Sequence, residues 1–235
     1  MVTGPANDPL VREALMACRL FAGLDEARLD LVVGALRARR FRRGETIFHG
    51  GDPGDALFIV ASGSVKILVT PEDGSEPAIL TVVGPGGFFG ELALLDGAAR
   101  SATAVAVERV ETLVLRRDAF DHLVDDDAGI RRALLGALAS EIRRLTAQVE
   151  DLHFLDLPGR LASRIIRLAA SAGATSGEAR IAWPYTQSEL AGMIGGSRQS
   201  VNRLLADLVD EGIIRIERDV LTVTDLGRLA RTVER

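Results

Sequence analysis

The segment TQSELAGMIGGSRQSVNRLLADLVDEGIIRI, residues 186–216, contains two short helical patterns around a pair of glycines. Thr186 followed by Glu189 fits a capping box, which predicts that the first helix begins there. The two adjacent glycines that start at Gly195 predict its end, because glycine readily adopts the left-handed conformation that closes a helix. Ser197 can then cap a second helix. The segment therefore predicts a helix-turn-helix.

The second helix of this segment has an apolar stripe and a polar outer face. We expect Val201, Leu204 and Leu208 to point inward. The predicted DNA-binding residues are Thr186, Gln187, Ser197, Arg198, Gln199, Ser200, Asn202 and Arg203. An outward arginine on such a helix can donate two hydrogen bonds to guanine O6 and N7 in the major groove. The alternative is a plain helical hairpin whose polar residues are solvated.

The residues that follow predict the rest of a winged helix. IIRIERDVLTVT, residues 213–224, has the pattern of two short strands around a turn. From residue 157 onward there are 11 arginines and 9 acidic residues, net +2, whereas the preceding residues include 17 basic and 24 acidic ones, net −7. The C-terminal part is therefore the stronger candidate for an anionic partner. A charge difference of this size is also common between unrelated domains.

Length and composition are those of a globular protein. The 235 residues are 47% hydrophobic, which is enough for one large or two ordinary domains. No segment reaches the about 18 uninterrupted apolar residues of a membrane helix, so we expect a cytoplasmic protein without membrane contact. Cys18 is the one cysteine of the chain, which excludes an internal disulfide, a cysteine-built zinc site and a four-cysteine iron–sulfur cluster.

The first half of the chain predicts helices followed by an antiparallel roll. Apolar residues recur at helical spacing from Leu10 to about Ala38, with a break at residues 22–26. From residue 47 to 87 short apolar runs alternate with glycine and aspartate, a pattern typical of strands and turns in an antiparallel roll or barrel. We expect the roll to end near Arg116.

A long helix with a regular apolar seam follows, from about Ala128 to Leu152. Its apolar residues alternate steps of three and four, which is the a/d spacing of a coiled coil. β-Branched side chains at one class of seam position and leucines at the other favour a parallel two-stranded pairing. The predicted dimer interface is Leu135, Leu138, Ile142, Leu145, Val149 and Leu152. The alternative is a helix that packs only on its own domain.

The segment FFGELALLDGAARSATAVA, residues 88–106, has a carboxylate near one end and a cation near the other. Glu91 follows Gly90, and Arg100 and Ser101 come after a short run of mostly apolar and small residues. Taken alone, Glu91 and Arg100 can form a surface ion pair. An arginine and a carboxylate can also bind the anion and a hydroxyl group of one ligand. The residues by themselves leave both interpretations open.

Four segments, in this order, resemble the Crp/Fnr family of bacterial transcription regulators. They are GDPGDALFIVASGSVKI, FFGELALLDGAARSA, FLDLPGRLA and TQSELAGMIGGSRQSVNRLL, and the similarity extends from about Phe21 to Val223. The resemblance implies an α+β fold. It consists of a cyclic-nucleotide-binding antiparallel β-roll with N-terminal helices at residues 1–126, a long dimerisation helix with a hinge at 127–156, and a C-terminal winged helix-turn-helix at 157–235. It also implies a homodimer.

The resemblance assigns roles within residues 88–106. Arg100 and Ser101 match the family's phosphate ligands, and Glu91 matches its ribose ligand. Glycine at position 90 lets the backbone come close to the ligand, and the short helix after it offers amide groups to the same phosphate. The ligand-binding set so implied is Gly90, Glu91, Leu92, Arg100, Ser101, Ala102 and Thr146. The expected effector is cyclic AMP.

Two parts of the chain depart from the family pattern. The family reads adenine with polar residues on the long helix, and the matching positions are Leu145 and Thr146, of which only Thr146 is polar. On the recognition helix, Gln199 stands where the family's best-known member has glutamate, and glutamine suits adenine better than cytosine. These departures bear on the base of the effector and on the operator sequence.

The expected partners are a pseudo-palindromic double-stranded DNA operator, a second copy of the chain and RNA polymerase. One alternative is a regulator of the same fold whose roll binds another effector, such as cyclic di-GMP, or none. The other is an enzyme acting on nucleotides, which needs a metal cluster or an activated nucleophile, and the sequence indicates neither. His49, His122 and His153 are scattered, so we expect no metal and no haem.

Overall fold

The computed structural model describes residues 9–21, 23–70, 77–183, 185–218 and 220–233. The chain divides into two compact units, residues 1–143 and 144–235. The helices are α1 (Pro9–Ala17), α2 (Glu26–Ala35), α3 (Glu91–Asp96), α4 (Arg117–Asp126), α5 (Ala128–Phe154), α6 (Leu157–Ser171), α7 (Gln187–Ile194), α8 (Arg198–Asp210) and α9 (Leu226–Val233). The strands are β1 (Leu36–Phe41), β2 (Thr46–Phe48), β3 (Ala56–Ser62), β4 (Val65–Val69), β5 (Ala78–Val83), β6 (Phe88–Phe89), β7 (Thr103–Ala106), β8 (Val110–Arg116), β9 (Ala179–Ala182), β10 (Ile214–Glu217) and β11 (Val220–Val223).

The strands of the first unit form the predicted antiparallel roll from two sheets, in the orders β1-β8-β3-β6 and β2-β7-β4-β5. Ile59 of β3 lies opposite Leu113 of β8. Side chains alternate along a strand, so Leu57 and Ile59 pack with α1 and α2 while Phe58 and Val60 fill the interior of the roll. The first sheet therefore separates two apolar cores.

The roll begins earlier than the helical spacing predicted. α2 ends at Ala35 and β1 starts at Leu36, so the prediction of helical structure as far as Ala38 was wrong. Leu36 and Phe41 are buried while the four residues between them are exposed, and the whole of β1 pairs with β8. Pairing with a strand far along the chain outweighs the local helical spacing here. The predicted end of the roll near Arg116 is confirmed.

α5 confirms the predicted long helix, and its two sides differ. Ile130, Leu134 and Ala137 are buried in the helical core of the first unit, and Leu138 is half-buried against the same core. The other predicted seam residues are exposed, namely Leu135, Ile142, Leu145, Val149 and Leu152. Leu138 therefore contributes to packing within its own unit.

The second unit surrounds one apolar core with α6, α7, α8, α9 and a three-stranded sheet in the order β10-β11-β9. The two predicted strands of the wing are confirmed, and the structure adds β9, whose Ile181 lies opposite Leu221. α6 begins at Leu157, where the Asp156 side chain accepts a hydrogen bond from the amide of Gly159. α4 and α9 were not predicted from the sequence.

Candidate functional site

The segment that carries the predicted ligand residues folds into a tight turn followed by a short helix. β6 ends at Phe89, Gly90 has φ 81°, and α3 starts at Glu91. A side chain is disfavoured at this φ. A Cβ atom at position 90 would also lie 2.7 Å from Nη1 of Arg100. Glycine is therefore required by the backbone conformation and by the space that Arg100 occupies.

Arg100 is the buried centre of this segment, with 5% of its surface exposed. Nη1 donates a hydrogen bond to the carbonyl of Gly90 and Nη2 to the carbonyl of Ala56, each at 2.7 Å. The guanidinium carbon lies 4.3 Å from the centre of the Phe48 ring, a cation–π contact. Nε is buried and has no hydrogen-bond partner among the described residues. An N–H group in this condition can donate to an anionic ligand, which would remove the cost of leaving it unsatisfied.

Arg100 keeps its positive charge although it is buried. Burial lowers the pKa of Arg100, the carboxylates of Asp55 and Glu91 act in the opposite direction, and the cation of Arg117 adds to the lowering. A guanidinium nevertheless stays protonated in proteins. The site therefore holds a permanent positive charge that is partly removed from water, where its attraction for a phosphate is stronger than on an open surface.

Six of the seven predicted ligand residues lie on two neighbouring segments. They are Gly90, Glu91 and Leu92 at the start of α3, and Arg100, Ser101 and Ala102 ahead of β7. The amide of Arg100 donates to the carbonyl of Asp52 at 2.9 Å, and its carbonyl accepts from the amide of Gly51 at 2.8 Å. These bonds hold the second segment against the loop before β3. Thr146, the seventh, lies on α5 in the second unit, and its role stays a prediction.

Three residues of this site were missed by sequence reasoning: Phe48, Gly54 and Ala56. Phe48 and Ala56 supply the ring and one carbonyl that contact Arg100. Gly54 packs against α3, because a Cβ atom at position 54 would lie 2.2 Å from the Cβ of Ala93. The signal for Gly54 was the glycine-rich run that the sequence analysis interpreted as a turn, since glycine also marks close approach of a backbone to another element.

α7 and α8 form the predicted helix-turn-helix. Thr186 and Glu189 make a reciprocal capping box at the start of α7, and Gly195 closes this helix at φ 68°. Ser197 caps α8 by accepting a hydrogen bond from the amide of Ser200 at 3.1 Å. The predicted start and end of α7 and the predicted cap at the start of α8 are therefore confirmed.

The buried stripe of α8 differs from the prediction at one position. Val201, Leu205 and Leu208 are buried, whereas Leu204 is only partly buried. Leu204 packs against the same core, as predicted, and Leu205, which the prediction did not include, is the more deeply buried of the two. Residues three and four positions after Val201 both lie near the same helix face, so packing against the rest of the core decides which one is buried.

The opposite side of α8 presents polar side chains to solvent. Arg198, Gln199, Asn202 and Arg203 are exposed. The side-chain amide of Gln187 in α7 donates to the side-chain oxygen of Asn202 at 2.8 Å. Two of the predicted DNA-binding residues thus hold each other across the two helices, and this bond orients the polar face of α8.

The described part of the chain offers no alternative centre based on a metal. It contains no group of three or more His, Cys, Asp or Glu side chains that could hold a metal ion. Cys18 is buried, and burial raises the pKa of its thiol to about 11, which disfavours the reactive thiolate.

No described helix is long and apolar enough to cross a membrane.

Two family models match the regions that contain these features. Residues 38–127 match the cyclic nucleotide-binding domain, which includes Arg100, and residues 159–232 match the Crp-like helix-turn-helix domain, which includes α8. The fold and the site therefore define a DNA-binding protein that carries a cyclic-nucleotide-binding roll.

Individual relatives narrow this class to one family. The chain is 37% identical over 220 residues to the CRP-like cAMP-activated global transcriptional regulator of Mycobacterium tuberculosis, over 93% of this chain and 98% of that protein. It is 34% identical over 210 residues to the Cyclic AMP receptor protein of Thermus thermophilus, over 89% of this chain and 94% of that protein. FixK2 from Bradyrhizobium japonicum has the same fold, with a TM-score of 0.76 at 21% identity over 84% of this chain and 96% of that one. The chain belongs to the Crp/Fnr family of transcription regulators, whose members bind DNA and act as dimers.

The close packing of Gly54 on α3 gives a test of the site. Gly54→Ala should weaken cyclic-nucleotide binding by about tenfold or more, because the added methyl group forces α3 away from its position. Calorimetric titration of the full chain measures this change. Gly84→Ala is the matched control, since nothing lies within 4 Å of the Cβ position at Gly84. Equal affinities of the two variants would contradict the packing argument.

Proposed function

We propose that the protein is a cytoplasmic homodimeric transcription regulator whose effector is cyclic AMP and whose target is a pseudo-palindromic DNA operator. The observation that carries the effector part is the buried Arg100, whose Nε lacks a partner among the described residues. The names of the relatives from Mycobacterium and Thermus, which refer to cyclic AMP, support the same ligand. RNA polymerase is the further partner of a regulator of this kind, and the proposal includes no catalytic step.

A cyclic nucleotide presents the two groups that this segment is suited to bind. Its phosphate carries one negative charge, which Arg100 can meet through Nε and the unused N–H groups of its guanidinium, with the hydroxyl of Ser101 as a further donor. Its ribose has a free 2′-hydroxyl, which can donate a hydrogen bond to the Glu91 carboxylate. Glu91 is the first residue of α3 and follows the Gly90 turn that Arg100 holds. The proposed phosphate and ribose contacts therefore come from two segments that the hydrogen bond between Arg100 and Gly90 joins.

The base is the least specified part of the ligand. Thr146 is the polar member of the pair of positions that resemble the family's adenine readers, and its neighbour Leu145 is apolar. A hydroxyl group can donate to or accept from a base edge. We propose that Thr146 contributes the polar contact to adenine, and that cyclic GMP and cyclic di-GMP are the competing ligands to compare.

Exposed apolar side chains on α5 support the dimer. Ile142 and Val149 are exposed by 64% and 53% in the single chain, although both are large and apolar. They are separated by seven residues, so they lie on one side of the helix, and such a stripe is stable when a second helix covers it. We propose that α5 pairs with α5 of a second copy through this seam.

The polar face of α8 supports reading of DNA in the major groove. Gln199 and Arg203 are four residues apart and both are exposed, so they project from the same side of the helix. Arg198 lies in the first turn, where it can contact either a base or a phosphate. The recognition helices of a two-fold dimer must lie about 34 Å apart to enter successive major grooves.

The regulatory mechanism that we propose is a population shift. Thr146 is adjacent in sequence to the seam residue Leu145. An effector that contacts Thr146 would favour one packing of the paired α5 helices, and thereby one spacing of the recognition helices. The effector must bind that arrangement more tightly than the alternative in order to shift the equilibrium.

Arg100→Leu should reduce cyclic AMP affinity by at least a factor of about 10 to 100, since a hydrogen bond to a charged group contributes about 1.5–3 kcal/mol. Arg100→Lys keeps the charge but loses the planar set of donors, so it should lie between this variant and the wild type. Calorimetric titration with cyclic AMP, cyclic GMP and cyclic di-GMP measures both. The control is Arg109→Leu, at an exposed arginine outside the site. Wild-type affinity in Arg100→Leu would remove Arg100 from the site.

Ile142→Asp should raise the dimer dissociation constant by at least about a hundredfold, because it brings two carboxylates together in an apolar seam. This position tests the interface better than Leu138, which also packs on the core of its own unit. Sedimentation velocity measures the change. Arg143→Asp is the control, at an exposed position beside the seam. A wild-type dimer in Ile142→Asp would place the interface on another surface.

Arg203→Ala should lower operator affinity by about 1–3 kcal/mol and relax selectivity at one base pair in each half-site, as expected for the loss of a bidentate contact to guanine. Binding to a panel of single-base operator variants measures the selectivity. Cyclic AMP affinity without DNA should not change. A uniform loss across all sequences, with a shallower dependence on salt, would instead identify Arg203 as a phosphate contact.

A further inference from the structure

A second arginine beside the predicted nucleotide site has no role in the functions described so far. Arg117 is the first residue of α4 and is half-buried. Its Nη1 donates to the carbonyl of Leu94 at 2.9 Å, and its Nη2 donates to the carbonyls of Ala93 at 2.6 Å and Gly54 at 2.8 Å. One guanidinium therefore joins three backbone carbonyls on two segments, α3 and the loop before β3.

α3 depends on partners outside itself. It has six residues, and the last four carbonyls of any helix receive no hydrogen bond from an N–H group within that helix. The amide of Gly97 donates to the carbonyl of Ala93 at 3.2 Å, and Arg117 adds a charged donor to this carbonyl and another to that of Leu94. A helix this short is marginal in water on its own. The position of α3 is thus set by the groups that hold its ends.

The two ends of α3 are held by two different arginines. Arg100 binds the carbonyl of Gly90, immediately before α3, and Arg117 binds the carbonyls of its last turns. The amide of Arg117 also donates to the carbonyl of Asp55 at 2.8 Å. Arg117 consequently fixes α3 and the loop around Gly54 against the start of α4.

We propose that Arg117 is the positioning residue of the effector site: it sets the place of α3, and hence of Gly90 and Glu91, for the nucleotide. This inference rests on the proposed function for its ligand. Arg117 has no contact with the nucleotide in this proposal and acts through α3. Because it is also the first residue of α4, a displacement of α3 by the ligand reaches α4 through the same side chain.

Asp127, which immediately follows α4, continues this connection. Its carboxylate accepts hydrogen bonds from the amides of Gly129 and Ile130 at the start of α5, and from Nε of Arg28 in α2 at 2.6 Å. α4 is therefore attached at its start to α3 and at its end to the first turn of α5. This is the route by which occupancy of the site acts on the first part of the long helix.

The test compares three variants of the full chain: Arg117→Gln, Arg117→Lys and the control Arg116→Gln. Arg116 is the neighbouring arginine, and it is exposed and forms ion pairs with Asp55 and Asp118 at 3.6 and 3.8 Å. Cyclic AMP affinity is measured by calorimetry, and exchange of the α3 amides by hydrogen–deuterium exchange without ligand. Lysine keeps the positive charge near Arg100 but cannot serve three carbonyls with one planar group.

We expect both Arg117 variants to lose affinity by about tenfold or more, and the α3 amides of both to exchange faster than in the wild type, while Arg116→Gln matches the wild type. Wild-type affinity in Arg117→Lys would show that Arg117 acts by charge alone and would overturn the proposal. So would unchanged exchange of α3 in Arg117→Gln. If Arg117→Gln does not fold, the lysine variant decides.

The outcome separates this inference from the proposed function. If the wild-type chain binds no cyclic nucleotide, the proposed effector is wrong, whatever the variants do. The exchange measurement needs no ligand, so it still shows whether Arg117 holds α3. Binding by the wild type together with unaltered affinity in both Arg117 variants would refute the positioning role alone.

Discussion

The proposed effector site depends on the contacts that the buried guanidinium of Arg100 makes. It joins the Gly90 turn to the first residue of β3 by two hydrogen bonds of 2.7 Å, and it stacks on Phe48 of β2. Burying a cation is costly unless polar partners compensate it. The two carbonyls, the aromatic ring and the nearby carboxylates of Asp55 and Glu91 supply that compensation in part. Nε has no hydrogen-bond partner among the described residues, and we propose that an anionic ligand supplies one.

α5 has one face that is buried in the first unit and another that is exposed and apolar. The second face bears on the dimeric state of the family. Leu134 and Ala137 are buried in the core of the first unit, so the first part of the helix is part of that fold. Ile142 and Val149 are exposed in the single chain, and large apolar side chains in a regular stripe favour a partner. One helix thereby stabilises the first unit, and we propose that its exposed apolar stripe pairs with a second copy.

In the second unit, the residues that cap α7 and α8 differ from the exposed arginines of α8. The capping box at Thr186 and the left-handed Gly195 close the two ends of α7, and the Ser197 cap begins α8, all through groups close in sequence. The bond between Gln187 and Asn202 then orients the polar face. Arg198 and Arg203 are left exposed on a rigid support, which is the arrangement that selective contacts with base edges require.

The sequence by itself determined the features that depend on neighbouring residues. The caps of α7 and α8, the length of α5 and the alternation of strands and turns in the roll were all predictable, because capping and periodicity act within a few residues. The predicted roles of Glu91 as a ribose ligand and Arg100 as a phosphate ligand came only from the resemblance to a family. The spacing of the two residues alone also allowed a surface ion pair. The tertiary structure decided the rest. In the tertiary structure β1 begins at Leu36, and Leu205 is more deeply buried than Leu204. Gly54 and Arg117 both contact α3. Each of these depends on contact with an element distant in the chain, and no local pattern encodes which distant element will provide it.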